Sequence, residues 1–366
     1  MKKQFSYTIS IVTLSLILSA WGGTGHYKIS EKSALSFNPE MHQFMAWAVD
    51  LAEHASDADA RKSSDPDESV KHYIDIDNYP EFIANRRIPH SWDSVIDLHG
   101  YSFVDEQGIL PWATLASYDS LVACFGRRDW DQALLFASDL GHYVADGHMP
   151  LHITRNYNGQ YTGNNGIHSR YESSMISDFI SEIEYTGETI EQQYDILDYI
   201  FRYLYTNYKL TDSILIVDDF ATSVAGNTSS SAYYTELWKG SEAFTIQLFK
   251  SASHALAELI YSAWLEAGSP SIDLSVFGQI STKNQGISVW PNPANSEVYI
   301  EFEKKGSQSA PLMIVDLNGD VLFELPPDKL NEGFNRIQVS IQNIPDGIYL
   351  LSYGQHVCKF FILGSY

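Results

Sequence analysis

DWDQALLFASDLGHYVADGHMPLH, residues 129–152, opens on an aspartate able to cap a helix and continues with apolar residues at helical spacing. His142 and Asp146 stand four apart in it, so a helix puts both on one face, one turn from each other. His152 follows just beyond. Moving outward, a second four-residue pair, His168 and Glu172, stands in GIHSRYE after the loop-like run RNYNGQYTGNNG. Upstream, Asp57 and His72 bracket a second polar loop, DADARKSSDPDES, that leads into KHYIDID. Imidazole and carboxylate in this company suit zinc or another borderline first-row ion. One such pair is more often a surface ion pair; two, each beside a further histidine, point to a metal centre. The competing reading is a set of half-buried histidines satisfied by neighbouring carboxylates.

The surrounding chain, from Ile29 to about Gly268, reads as mainly helical. Residues 34–55 place Met41, Met45, Val49 and Ala52 on one side, and similar patterns cover roughly 170–184, 189–207 and 239–265. Beyond Trp264 the stretch EAGSPSIDLSVFGQISTKNQG reads as a linker, followed by the short β-rich runs EVYIEFE, PLMIVDL, RIQVSI, GIYLLSYG and CKFFILG. DLNGD and IPDG read as tight turns between them. The expected architecture is a mainly α-helical catalytic domain over 21–267, a linker over 268–284 and a small all-β sandwich over 285–366.

With 366 residues and 44% hydrophobic content the chain can bury a large core plus a smaller module. Lys plus Arg number 23 and Asp plus Glu 46, a formal charge of −23. That disfavours a passive nucleic-acid binder, but not a metal-dependent enzyme, because bound cations reverse the field at the mouth of a site. The two cysteines, Cys124 and Cys358, make no disulfide framework, and Cys124 reads as a buried free thiol.

MKKQFSYTISIVTLSLILSA, residues 1–20, has two lysines, a short apolar run and a small final residue, the shape of a leader peptide. Cleavage after Ala20 leaves Trp21 with a free amine, able to bind metal near neutral pH. The amine and the Trp21 carbonyl can chelate one ion, and His26 in WGGTGH is close enough to add a ligand.

WGGTGH, the Asp57 loop leading to HYIDID, HYVADGHMPLH and HSRYE, in this order over about 21–267, resemble the zinc-dependent phospholipase C and single-strand-specific nuclease superfamily. The resemblance implies a helical fold with three Zn2+ in one cleft. Trp21, His26 and Asp146 would hold one ion; Asp57, His72, His142 and a bridging Asp146 a second; His152, His168 and Glu172 the third. Asp57 would also orient or deprotonate the attacking water, and Asp59 is the alternative ligand in DAD. His54 is expected at the surface, His148 on the cleft wall without metal, His254 in helix packing, and Tyr73 either along the cleft or in ordinary packing.

The resemblance implies a secreted phosphodiester hydrolase, expected to be of the phospholipase C type and to cleave phospholipids with a metal-bound water. The alternatives are a single-strand-specific nuclease or 3'-nucleotidase at the same site, or a hydrolase of another phosphoester. Glu172 sits nearer the phospholipase form of the family, whereas WGGTGH and HYID lean to the nuclease branch. A non-catalytic, zinc-stabilised surface protein is the remaining alternative. The run from ISVWPNPANSEVYIEF through VDLNGDVLFE and IPDGIYLLSY to CKFFILG, about 285–366, resembles the C-terminal sorting domain of type IX secretion. It implies export through the periplasm to the outside or the outer cell surface, with the secretion machinery as a partner. The mature chain is expected to be a monomer without a membrane span.

Overall fold

The computed structural model describes residues 21–45, 47–271, 287–292, 294–304, 310–316, 321–345, 347–354 and 356–362. The leader expected at 1–20 and most of the expected linker lie outside them. Among the described residues, those from 21 to 271 are mostly helical, and two small sheets follow.

Trp130–Asp146 is the helix that positions the site. Asp129 caps it, accepting from the Gln132 amide at 3.4 Å, which satisfies one of the free donors of the first turn. Ala133, Ala137, Leu140, Tyr143 and Val144 join one apolar cluster with Phe44, Trp47, Phe125 and Trp264. Ala145 belongs to a second, with Trp21, Tyr171 and Phe249. The helix end therefore lies where two cores meet, and His142 and Asp146 are fully buried there.

The 36-residue helix Ser231–Glu266, capped by Ser230, lies against both. Gly141 allows the approach, since a Cβ there would come within 2.9 Å of Leu256 and 3.2 Å of Ser30 Oγ. The stretch 34–55 departs from a single helix. Pro39–Phe44 is a 3-10 turn and the next α-helix is Trp47–Glu53; Pro39, which has no N–H, cannot continue a helix from residue 34. Around Glu172 the helix widens into a π-turn, Arg170–Met175.

In the C-terminal part, β1 (Ile287–Trp290), β2 (Glu297–Lys304) and β5 (Gly333–Ser340) form one antiparallel sheet. The other is β4 (Val321–Leu325), β3 (Leu312–Val315), β6 (Gly347–Tyr353) and β7 (His356–Ile362). Alternate residues such as Val298, Ile300 and Phe302 face Leu312, Ile314, Leu351 and Phe360 in a sandwich-like core. Ile348 also packs with Ala34 and Ala48, and Lys359 Nζ reaches Asp50 at 3.1 Å. Cys124 and Cys358 are both buried.

Candidate metal centre

Three groups of buried ligand atoms stand in one continuous cluster: His26, His142 and Asp146; Asp59, His72 and His142; and His152, His168 and Glu172. Asp146 sits at the middle. Its Oδ1 lies 3.5 Å from His26 Nε2 and 3.7 Å from His152 Nδ1, and its Oδ2 lies 2.9 Å from His72 Nδ1 and 3.4 Å from His142 Nε2. Asp59 Oδ1 completes that side, 3.7 Å from both His72 Nδ1 and His142 Nε2.

In the third group His168 Nε2 is 3.2 Å from His152 Nε2 and 3.1 Å from Glu172 Oε2. His168 and Glu172 project together because Ile167–Ser169 is helical and the π-turn follows without a break.

A count of donors tests whether cations fit. His142 Nδ1 donates to the Ala55 carbonyl at 2.7 Å, His152 Nδ1 to the His72 carbonyl at 2.6 Å, and His168 Nδ1 to the Tyr157 carbonyl at 3.1 Å. With those protons placed, each Nε2 of the neutral ring is a lone pair, and all three point at carboxylate oxygens or other ring nitrogens. Asp146 Oδ1, Asp59 Oδ2, Glu172 Oε1 and both nitrogens of His26 are buried without a hydrogen-bond partner among the described residues. Acceptors converge where donors are scarce, and buried acceptors so placed are costly unless a proton or a cation joins them. Imidazole and carboxylate in threes and fours are a zinc-type donor set. The residues present fit the group.

Protonation follows the same logic. Burial pushes His142 down, but the Asp146 charge outweighs it and carries the imidazole to about 8. Burial pushes Asp146 up, yet His142 and His152 hold it well below the carboxylate range. His26, fully desolvated beside His142, is driven down instead.

Trp21 is placed by its side chain. The buried indole donates Nε1–H to the Ala145 carbonyl at 2.7 Å and packs edge-on to Phe249 at 4.6 Å. The Trp21 backbone nitrogen is thereby fixed 3.1 Å from Glu172 Oε2, at the edge of the third group. Its carbonyl accepts from the Gly25 amide at 3.0 Å. Gly25 is required for this turn, because a Cβ would come 2.8 Å from that of Trp21.

Two expectations from sequence are not met: the Trp21 carbonyl is hydrogen-bonded to the Gly25 amide while its nitrogen stands beside Glu172 of the third group, and Asp57 is not brought in. Its side chain is 51% exposed and pairs with His54 Nδ1 at 2.7 Å, at the surface. Asp59, buried, takes the place beside His72 and His142, and Lys62 Nζ reaches it at 2.7 Å. Both carboxylates belong to the short helix Asp57–Arg61, where positions two apart face opposite ways. His148 is buried, its Nδ1 donating to Val144, and burial pushes it down to about 4. His254 pairs with Glu258 along the long helix at 3.4 Å. Tyr73 is half-buried, its hydroxyl donating to the Glu106 carbonyl at 3.4 Å. Sequence reasoning passed over Glu68, buried and 3.4 Å from His72 Nε2, although its four-residue spacing from His72 repeats that of the other pairs.

Residues 288–359 match the family described as Secretion system C-terminal sorting domain. No curated protein matches the chain in sequence. Among solved structures, the alpha-toxin of Clostridium absonum is similar at 9% identity and a TM-score of 0.43, over 90% of this chain and 87% of the toxin. An alpha-toxin of an avian strain of Clostridium perfringens is similar at 11% identity and a TM-score of 0.41, over 91% and 88% of the two chains.

Proposed function

We propose that this chain is an exported zinc-dependent phosphoester hydrolase of the phospholipase C type. The observation that carries the reading is three adjoining groups of buried imidazoles and carboxylates in which Asp146 Oδ1, Asp59 Oδ2, Glu172 Oε1 and both nitrogens of His26 lack a hydrogen-bond partner among the described residues. Three zinc ions are the proposed cofactors. His26 and Asp146, with the free amine of a chain cut before Trp21, would hold one. Asp59, His72, His142 and Asp146 would hold a second, and His152, His168 and Glu172 the third. When bound, zinc supplies Lewis acidity toward phosphoryl oxygens and acidifies a water molecule.

The remaining work falls to the chain. Asp146, held as a carboxylate, spans two groups and fixes their separation. Asp59 takes the part expected of Asp57. Its Oδ2, buried and without a hydrogen-bond partner among the described residues, is the atom to accept a proton from the attacking water. The backbone carbonyls of Ala55, His72 and Tyr157 lock the imidazoles in one tautomer, so the site needs no reorganisation when substrate arrives.

The charge of −23 favours a lipid headgroup over a long polyanion. A specific observation supports the second reading, a single-strand nuclease. Tyr157 and Tyr161 are exposed on the loop that contacts His168, and Arg155 lies 5.5 Å over the Tyr161 ring. Such rings can stack a base next to a phosphate. The module matched as a sorting domain supports export. Among the described residues no helix is long and apolar enough to cross a membrane.

The test uses protein beginning at Trp21, assayed on phosphatidylcholine micelles, single-stranded DNA and RNA, with and without a chelator. Diacylglycerol release that the chelator abolishes is the expected result. Nucleotide release with lipid untouched would transfer the protein to the nuclease reading, and silence on every substrate would remove the hydrolase.

A further inference from the structure

The histidines of the centre do not all turn the same way. His142, His152 and His168 each spend Nδ1–H on a backbone carbonyl and present Nε2 to the cluster. His72 is reversed. Its Nδ1 is the inward atom, 2.9 Å from Asp146 and 3.0 Å from His142 Nε2. Its Nε2 points outward and finds no hydrogen-bond partner among the described residues, but Glu68 Oε1 lies 3.4 Å from it.

Glu68 is only 1% exposed and is held from several sides. The Tyr143 hydroxyl donates to Oε1 at 2.5 Å and Lys71 Nζ to Oε2 at 2.8 Å. Arg61 reaches both oxygens at 3.5 Å and is itself tied to Asp139 at 2.9 Å. Tyr143 and Asp139 belong to the helix that carries His142 and Asp146. Glu68 thus joins the 3-10 turn Ser69–His72 to that helix at one buried point, with its charge matched by two cations.

We infer that Glu68 is a positioning residue that accepts the Nε2–H of His72, so that His72, unlike the other three, offers Nδ1 to metal. A carboxylate on the outer nitrogen makes an imidazole a stronger donor than a carbonyl does. The ion shared by Asp59, His72, His142 and Asp146 is therefore held by a more basic ring than the others. The inference rests on the proposed zinc centre.

Two measurements decide it. In zinc-loaded native protein with 15N-labelled histidine, His72 is expected to show a protected Nε2–H, assigned by its loss in His72→Gln, while His142, His152 and His168 show Nδ1–H. Finding His72 with Nδ1–H overturns the inference, and this readout needs no Glu68 variant to fold. Zinc retention against graded chelator is then compared in native protein and Glu68→Gln, which keeps the shape and removes the charge. One ion of three is expected to weaken by about 10–100-fold, the others holding. Retention of all three at native strength overturns the role of Glu68 while leaving the centre intact. Native protein that takes up no zinc overturns the centre itself.

Discussion

Asp57 and Asp59 differ by two positions and by the side of a helix on which they fall. Asp59→Asn is expected to lose one zinc per chain and at least ~100-fold in turnover, whereas Asp57→Asn keeps both near native values; metal analysis beside the phosphoester assay checks this. The distinction was not legible in DAD, because it depends on the phase of a five-residue helix that only tertiary packing sets. His142 with Asp146 and His168 with Glu172 were legible, since their four-residue spacing puts each pair on one face whatever the helix packs against. Asp75 offers a prediction of a different kind. Burial, then the charge of Asp77, raises its carboxyl to about 7. A folded pKa above the unfolded one means that the folded state binds more protons between about pH 4 and pH 7, so stability falls as pH rises through that window. Asp75→Asn removes the loss. It should gain about 2 kcal/mol on the native protein at pH 8, discounted from the full shift because the group is partly solvated, and the gain should vanish near pH 4. Urea melts at both pH values measure it.

At the scale of elements, the first helix, Gly22–Ser33, delivers two features from one short segment: the backbone nitrogen of Trp21 and the ring of His26. The indole is anchored on the Ala145 carbonyl, so the helix that carries His142 and Asp146 itself fixes the position of Trp21. A chain carrying one extra glycine before Trp21 should fold normally, with an amide in place of the amine. It is expected to bind one zinc at least ~10-fold more weakly than protein cut at Trp21, read by chelator competition, with unchanged far-UV circular dichroism. Equal affinity would remove the amine from the ligand set. The elements around this helix were unevenly legible. The apolar run 239–265 gave the long helix because its period is sustained, though its start at Ser231 depends on the Ser230 cap. The 3-10 turn at Pro39–Phe44 was hidden, because Met41 and Met45 keep helical spacing while Pro39 removes the hydrogen bond that a helix needs. The π-turn at Glu172 was hidden as well, since a widened turn leaves no mark on residue periodicity.

Across the whole molecule, every residue of the three ligand groups lies before Ser173, while the module that matches a sorting domain begins more than a hundred residues later. The strand runs were visible in sequence because alternate burial imposes a period of two, as in Val298, Ile300 and Phe302. What sequence could not supply was how that module meets the helices. Among the described residues Ile348 packs with Ala34 and Ala48, Phe37, Met45 and Phe361 lie against them, and Lys359 pairs with Asp50. A partly exposed ion pair of this kind is worth about 1 kcal/mol or less, and none of these residues belongs to a ligand group. Cutting the chain after Ser271 should therefore leave zinc content and turnover per site at native values and lower the melting temperature of the helical part by only a few degrees. Adding excess chelator to the same truncated protein should lower it much further, because removing ions that bind only the folded state withdraws about 2.7 kcal/mol for each one present at a hundred times its dissociation constant. Calorimetry on the two forms, with and without chelator, separates the terms. A large drop on truncation alone would mean that the module supports the helical fold, and a melt indifferent to chelator would mean that no bound ion was contributing to it.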